Sequence, residues 1–186
     1  MATIFVYGTL LEGCRNYDRL LKGRVRSIQT AYVKGTLYSL KGVDYPALVD
    51  GDSFIRGEQM EVEDDVLPLL DELEGYRGEN DPMNMYHKVW MDIYDEDWIR
   101  RIKLPVYVYN IDRPDQRDAL DTIITEQDYR QWLKQMCIRD RNWIPQVSGD
   151  SAILFVSFST SSKTPFVCVC ASIHRCFSAD FPCRRA

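Results

Sequence analysis

Histidine and cysteine are almost absent from the first 136 residues, which hold one of each, His87 and Cys14. A disulfide framework has no material there. Long apolar runs are missing too: no stretch of about 18 such residues exists to span a bilayer. The N-terminus enters Thr3-Ile4-Phe5-Val6-Tyr7 without the basic region, apolar stretch and small-residue cleavage site of a secretory signal. A cytoplasmic, unprocessed protein is expected. Positive charge is also in short supply, with 23 Lys and Arg against 28 Asp and Glu, a net charge of −5 and a pI near 5.1. Nucleic-acid binders carry a basic stripe, and none is seen, so no nucleic-acid or membrane partner is expected. What is present is a chain of 186 residues, 45% hydrophobic, which suffices for one packed core.

The texture changes near the end. Cys137, Cys168, Cys170, Cys176 and Cys183 crowd the last fifty residues, charges thin out after Asn142, and the periodic patterns of packed elements weaken. At the junction, Met136-Cys137-Ile138-Arg139-Asp140-Arg141 resembles one reading frame of an adapter used in transposase-based sequencing libraries. The expected organisation is a genuine domain over 1–135 and a tail over 136–186 that is either foreign sequence joined by an assembly error or disordered. A metal or redox role for Cys168, Cys170, His174, Cys176 and Cys183 is disfavoured, because Cys-x-Cys is not the Cys-x-x-Cys spacing of a structural zinc site. The apparent strand Ala152–Val156 should pack poorly on the rest.

Within 1–136, the run Thr3–Tyr7 is β-branched and aromatic and is ended by Gly8, as in a buried strand. Tyr17, Leu20 and Leu21 mark a short helix stopped by Gly23. Alternating patterns predict strands over 30–40, 54–62, 85–94 and 99–110, the last one beginning, bending or running along an edge at Pro105. Val66, Leu69, Leu70 and Leu73 have helical spacing over 65–74, with Asp64 as N-cap, Pro68 in the first turn and Gly75 as a left-handed stop. Thr125-Glu126-Gln127-Asp128 resembles a capping box opening a last helix through Tyr129, Trp132, Leu133 and Met136. Several strands broken by few helices indicate an α+β protein.

Two places carry chemistry. At Tyr7-Gly8-Thr9-Leu10 a turn follows a strand, so that successive backbone N–H groups can converge on a carboxylate or a developing oxyanion. Glu74 lies at the margin of an apolar stripe and in the last turn of its helix. Burial and the negative helix end should both raise its pKa, as a proton-shuttling carboxylate requires. Asp71 and Glu72 read as a solvated helix face or cap. A Cys14–His87 hydrolase has nothing to bring the two residues together, and Gly8–Gly13 lacks the Gly-Lys-Ser/Thr ending of a phosphate-binding loop.

Taken in order, Phe5 to Leu10, Gly13, Asn16, Leu20, Leu21, Tyr45 to Val49, Gly57-Glu58, Leu70 to Tyr76 and Tyr86 to Val89 resemble the gamma-glutamylcyclotransferase-like family over residues 3 to about 111. The resemblance implies a compact mixed β-barrel with flanking helices, no cofactor and no metal. It implies Glu74 as the catalytic residue, a substrate-binding loop of Tyr7, Gly8, Thr9 and Leu10, and a pocket tyrosine in the last barrel strand. Tyr107 and Tyr109 both fit that tyrosine, and Tyr109 is the one assigned. The implied activity, of acyltransferase or lyase type, closes a small-molecule γ-glutamyl amide to 5-oxoproline and releases an amine or amino acid. The alternative is a non-catalytic module that binds an amino-acid-like ligand on the same fold. Arg77–Met85 is longer than the usual link after the glutamate, which bears on the pocket rim and substrate choice. Expressed alone, residues 1–135 are expected to give a cooperative thermal transition; a chain that fails to fold would make the tail integral.

Overall fold

Six strands form one sheet in the computed structural model, which describes residues 1–99 and 101–141. The strands are β1 (Ala2–Val6), β2 (Val25–Leu40), β3 (Ala47–Val62), β4 (Tyr86–Asp95), β5 (Arg101–Tyr109) and β6 (Leu120–Ile123). The helices are α1 (Leu67–Leu73), α2 (Pro114–Ala119) and α3 (Tyr129–Arg141), with a π-helical turn at Tyr17–Leu21 and a 3-10 turn at Asp64–Val66. The tail cysteines and the strand expected at Ala152–Val156 lie outside the described residues.

The spatial order is β1-β3-β2-β4-β5 with every pair antiparallel, and β6 adds to β2. β2 and β3 form the spine, a 16-residue pair whose register slips between Gly35 and Thr36. The α+β class expected from the sequence holds, but the barrel does not close. β1 and β5 stand at the two ends of the order without a ladder between them. Pro105, paired with Trp90 of β4, lies in mid-β5, and a proline fits only a strand with a free edge. One side-chain bond spans the gap, from the Tyr7 hydroxyl to the Tyr107 carbonyl at 2.6 Å.

The main core gathers Ile4, Phe5 and Val6 of β1, Val33 and Leu37 of β2, Ile55 and Met60 of β3, and Val66 and Leu70 beneath them. The stripe around α1 differs from the expected one. Leu67 and Leu73 pack on the core beside Val66 and Leu70, whereas Leu69 stays outside the cluster. The 3-10 turn before α1 causes this, since three residues per turn rotate the face relative to a continuous α-helix. Asp64 is not an N-cap: its carboxylate accepts from the N-terminal ammonium at 2.7 Å.

At the last helix the capping residue is Asp128 rather than Thr125. Asp128 Oδ1 accepts the N–H groups of Arg130 at 2.8 Å and Gln131 at 3.3 Å, the N2 and N3 positions of α3. α3 is fastened to β3 by two ion pairs, Arg56–Asp128 at 3.1 Å and Arg130–Glu58 at 2.6 Å. The second reaches further. Glu58 also accepts the Glu12 N–H at 2.8 Å, and Arg130 donates to the Glu12 carbonyl at 2.6 Å. One buried carboxylate and one guanidinium thus grip the segment that follows the Tyr7–Leu10 turn. Arg130→Met should strand Glu58 and lower the unfolding free energy by about 2–3 kcal/mol, the low end for a broken buried pair because Arg130 is partly exposed. Urea unfolding of both proteins measures it.

Candidate active site

β1 ends at Val6, and the chain turns at once: the Leu11 N–H reaches the Gly8 carbonyl at 3.0 Å. Asn16, only 6% exposed, holds the turn from behind with its N–H on the Thr9 carbonyl at 3.1 Å and Nδ2 on Thr9 Oγ1 at 2.8 Å. Position 8 is glycine because of a close approach: a Cβ there would lie 3.0 Å from both Cδ and Cγ of Pro46. Among the described residues, no acceptor takes the N–H groups of Gly8, Thr9 or Leu10. Three donors are therefore available at the end of a buried strand.

Across from this turn α1 ends. The Glu74 N–H closes on the Leu70 carbonyl at 2.9 Å, and Gly75 takes the left-handed conformation, φ 61°, that turns the chain away. Glu74 is thereby left at a cavity of about 270 Å³ whose wall also includes Tyr7, Gly8, Thr9 and Leu10. Its carboxylate has no hydrogen-bond or ion-pair partner among the described residues, and its pKa is raised from 4.5 to about 7. Burial alone produces the shift. The helix end expected to assist belongs to a helix of only seven residues.

Tyrosines enclose the carboxylate. Tyr7, Tyr45, Tyr86 and Tyr107 line the cavity; burial, then the Glu74 charge, pushes the Tyr7 hydroxyl well up, and burial, then Tyr7 and Glu74, does the same to Tyr86. Tyr86 donates to the Pro46 carbonyl at 2.9 Å. Tyr107 donates to Asp71 Oδ1 at 2.6 Å, and the Lys88 ammonium lies 2.6 Å from the same oxygen while resting over the Tyr76 ring at 4.7 Å. Tyr109 is placed elsewhere. Two residues along β5, it is 5% exposed, packs edge-on against Tyr86 at 5.2 Å, and borders a second cavity with Gly75, Arg113 and Gln116. Of the two candidates on β5, Tyr107 is the one brought to Glu74.

Asp71 is the residue that sequence reasoning missed. Read as solvated, it is 29% exposed and carries both Tyr107 and Lys88. The available signal was its spacing, since Asp71 and Glu74 stand three apart on one helix and share a face. Arg15 and Arg19 also line the cavity and were not singled out; Arg15 is neutralised by Asp44 through contacts at 3.0 and 3.2 Å. Cys14 and His87 do not meet. Burial pushes the Cys14 thiol up, the reverse of activation, and His87 pairs with Val108 in mid-sheet. The long link Arg77–Met85 is folded around Asn84, fully buried, which takes the Arg77 N–H at 2.7 Å and donates to the Gly78 carbonyl at 2.7 Å. Its last residue, Met85, reaches the cavity wall.

Comparison with known proteins decides the family. Residues 4–131 match the family model described as gamma-glutamyl cyclotransferase, AIG2-like. The chain belongs to this family. A curated relative, the gamma-L-glutamyl-butirosin B gamma-glutamyl cyclotransferase of Niallia circulans, is 31% identical over 140 residues, which make up 73% of this chain and 80% of the relative. Among solved structures, an AIG2-like protein of Mus musculus superposes with a TM-score of 0.51 at 23% identity, over 63% of this chain and 82% of its own. YkqA of Bacillus subtilis gives 0.51 at 23% identity over 76% of this chain; the match spans only 43% of YkqA. These two establish the shared fold. Among the described residues, no helix of this gamma-glutamyl cyclotransferase family member is long and apolar enough to cross a membrane.

The raised Glu74 pKa has a thermodynamic consequence with a definite sign. Between pH 4.5 and about 7 the folded chain keeps a proton that the unfolded chain has lost, so stability falls as pH rises through that window and levels off above it. Glu74→Gln escapes this loss. At about pH 8 it should be more stable than the parent by about 2–3 kcal/mol, with the difference vanishing near pH 4. Denaturant unfolding at the two pH values measures both.

Proposed function

We propose that the protein is a γ-glutamyl cyclotransferase that converts a small γ-glutamyl amide to 5-oxoproline and a free amine. The observation that carries the reading is Glu74, a half-buried carboxylate with a pKa of about 7, sharing a cavity with three unclaimed N–H groups at the end of β1. In such a substrate the α-amine nitrogen attacks its own γ-carbonyl carbon, a C–N bond closes the five-membered ring, and the original amide C–N bond breaks. The attack is intramolecular, so the protein needs to hold a reactive conformer rather than supply a nucleophile. Glu74 relays the two protons that the α-ammonium nitrogen loses in becoming the lactam N–H, and both leave with the departing amine as its ammonium form. The N–H groups of Gly8, Thr9 and Leu10 hold the substrate carboxylate or the oxyanion that forms at the γ-carbon. Tyr7 and Tyr107 shape the acceptor side of the cavity, the role expected of Tyr109 passing to Tyr107. No organic cofactor is needed for this step.

Every residue invoked lies between Tyr7 and Tyr107, so the expected domain over 1–135 would hold the whole machinery, acting on cytoplasmic γ-glutamyl metabolites. Incubation with a panel of γ-glutamyl amino acids, γ-glutamyl amines and glutathione should release 5-oxoproline, detected by mass spectrometry. kcat/KM should rise with pH through about 7 as Glu74 ionises. Glu74→Gln should abolish turnover while leaving the fold and ligand binding intact. Full activity in that variant would remove Glu74 from the mechanism, and binding without product from any panel member would favour the non-catalytic module.

A further inference from the structure

Three of the four phenols around Glu74 share a polarity, while Tyr45, the fourth, keeps its proton uncommitted. A phenol has one proton to donate and lone pairs with which to accept. Tyr7 gives its proton to the Tyr107 carbonyl, Tyr86 to the Pro46 carbonyl and Tyr107 to Asp71, at 2.6, 2.9 and 2.6 Å. Each therefore has only acceptor capacity left for a ligand. The cavity wall carries main-chain donors at Gly8–Leu10 and the guanidinium groups of Arg15 and Arg19, together with these oxygen acceptors, Glu74 among them.

Two of these protons end on main-chain carbonyls that the fold cannot remove. The third ends on a side chain. Asp71 and Lys88 are both about a quarter exposed, and an ion pair in such a place contributes little to stability by itself. An ionised carboxylate is a pure acceptor, however, so the pair obliges Tyr107 to donate outward from the cavity. Without Asp71, the Tyr107 proton would be free to turn towards the ligand, and a donor there would repel a cationic group.

We propose that Asp71 is a positioning residue: by taking the Tyr107 proton, with Lys88 as its counter-charge, it fixes the phenol as an acceptor for the α-ammonium of the substrate. The inference rests on the γ-glutamyl reading for the identity of that ammonium, and its test does not depend on turnover. Isothermal titration of the full chain with L-glutamate and with glutarate, which differ only in the ammonium group, gives a preference ratio. The parent should bind L-glutamate more tightly by about tenfold or more, as expected for one charge-assisted hydrogen bond. Asp71→Ala should reduce that ratio at least about fivefold by weakening L-glutamate and sparing glutarate. Asp71→Asn, close in size, serves if the alanine variant does not fold, with a fall of about threefold or more. Equal losses for both probes would reveal a merely structural role, and a parent that binds neither probe or prefers neither would overturn the proposal. The 5-oxoproline assay judges the γ-glutamyl reading separately, since a protein that shows the predicted ratios but forms no product keeps the ammonium site and loses the reaction.

Discussion

The bond from the Tyr7 hydroxyl to the Tyr107 carbonyl joins two strands that no ladder connects, and the arrangement of the site depends on it. Its donor leads directly into the Gly8–Leu10 turn, and its acceptor belongs to the residue whose own hydroxyl is held by Asp71 on α1. Three separate elements, the ends of β1 and α1 and the middle of β5, are thereby set around one cavity. Its donor Tyr7 is buried and its acceptor residue Tyr107 half-buried, so water competes for it only in part. A closed barrel would have occupied the same edges with main-chain bonds and left the phenol no such task.

Burial does the chemical tuning. Glu74 has no cationic neighbour to hold its charge, and its pKa rises for want of water alone. None of the nearby cations pairs with it: Lys88 is tied to Asp71 and Arg15 to Asp44, and Arg19 lines the cavity without reaching the carboxylate. A lysine or arginine on Glu74 itself would have stabilised the fold and left the carboxylate a poor base near neutral pH. Stability has been given up at this one position, as active sites commonly require.

Much of this was legible in the residues, and the exceptions share a cause. The existence of β1 to β5, the break in regularity at Pro105 and the glycine stop at Gly75 follow from short-range pattern, whereas β2 and β3 begin at Val25 and Ala47, ahead of the expected 30 and 54, and Glu74 is found on the cavity wall. α2 and β6 were missed because six and four residues carry too little periodicity to register. Thr125 and Asp64 had the composition of caps, but capping depends on which residue starts the helix, a boundary set by docking against β3 and by the N-terminal ammonium. Tyr107 and Tyr109 share a strand face, so alternation could not separate them. Only the distance along β5 to α1 does. Asp71 was read as solvated because a helix face says nothing about a tyrosine thirty-six residues away.

The grip of Arg130 on Glu12 and Glu58 spans 118 and 72 residues of chain. The turn is thus anchored by a side chain made more than a hundred residues after it. Asn16 and Leu11 close the turn locally, whereas its fastening to β3 and α3 waits for Arg130. Complete fastening of that segment is a late event of folding, reached only when α3 docks.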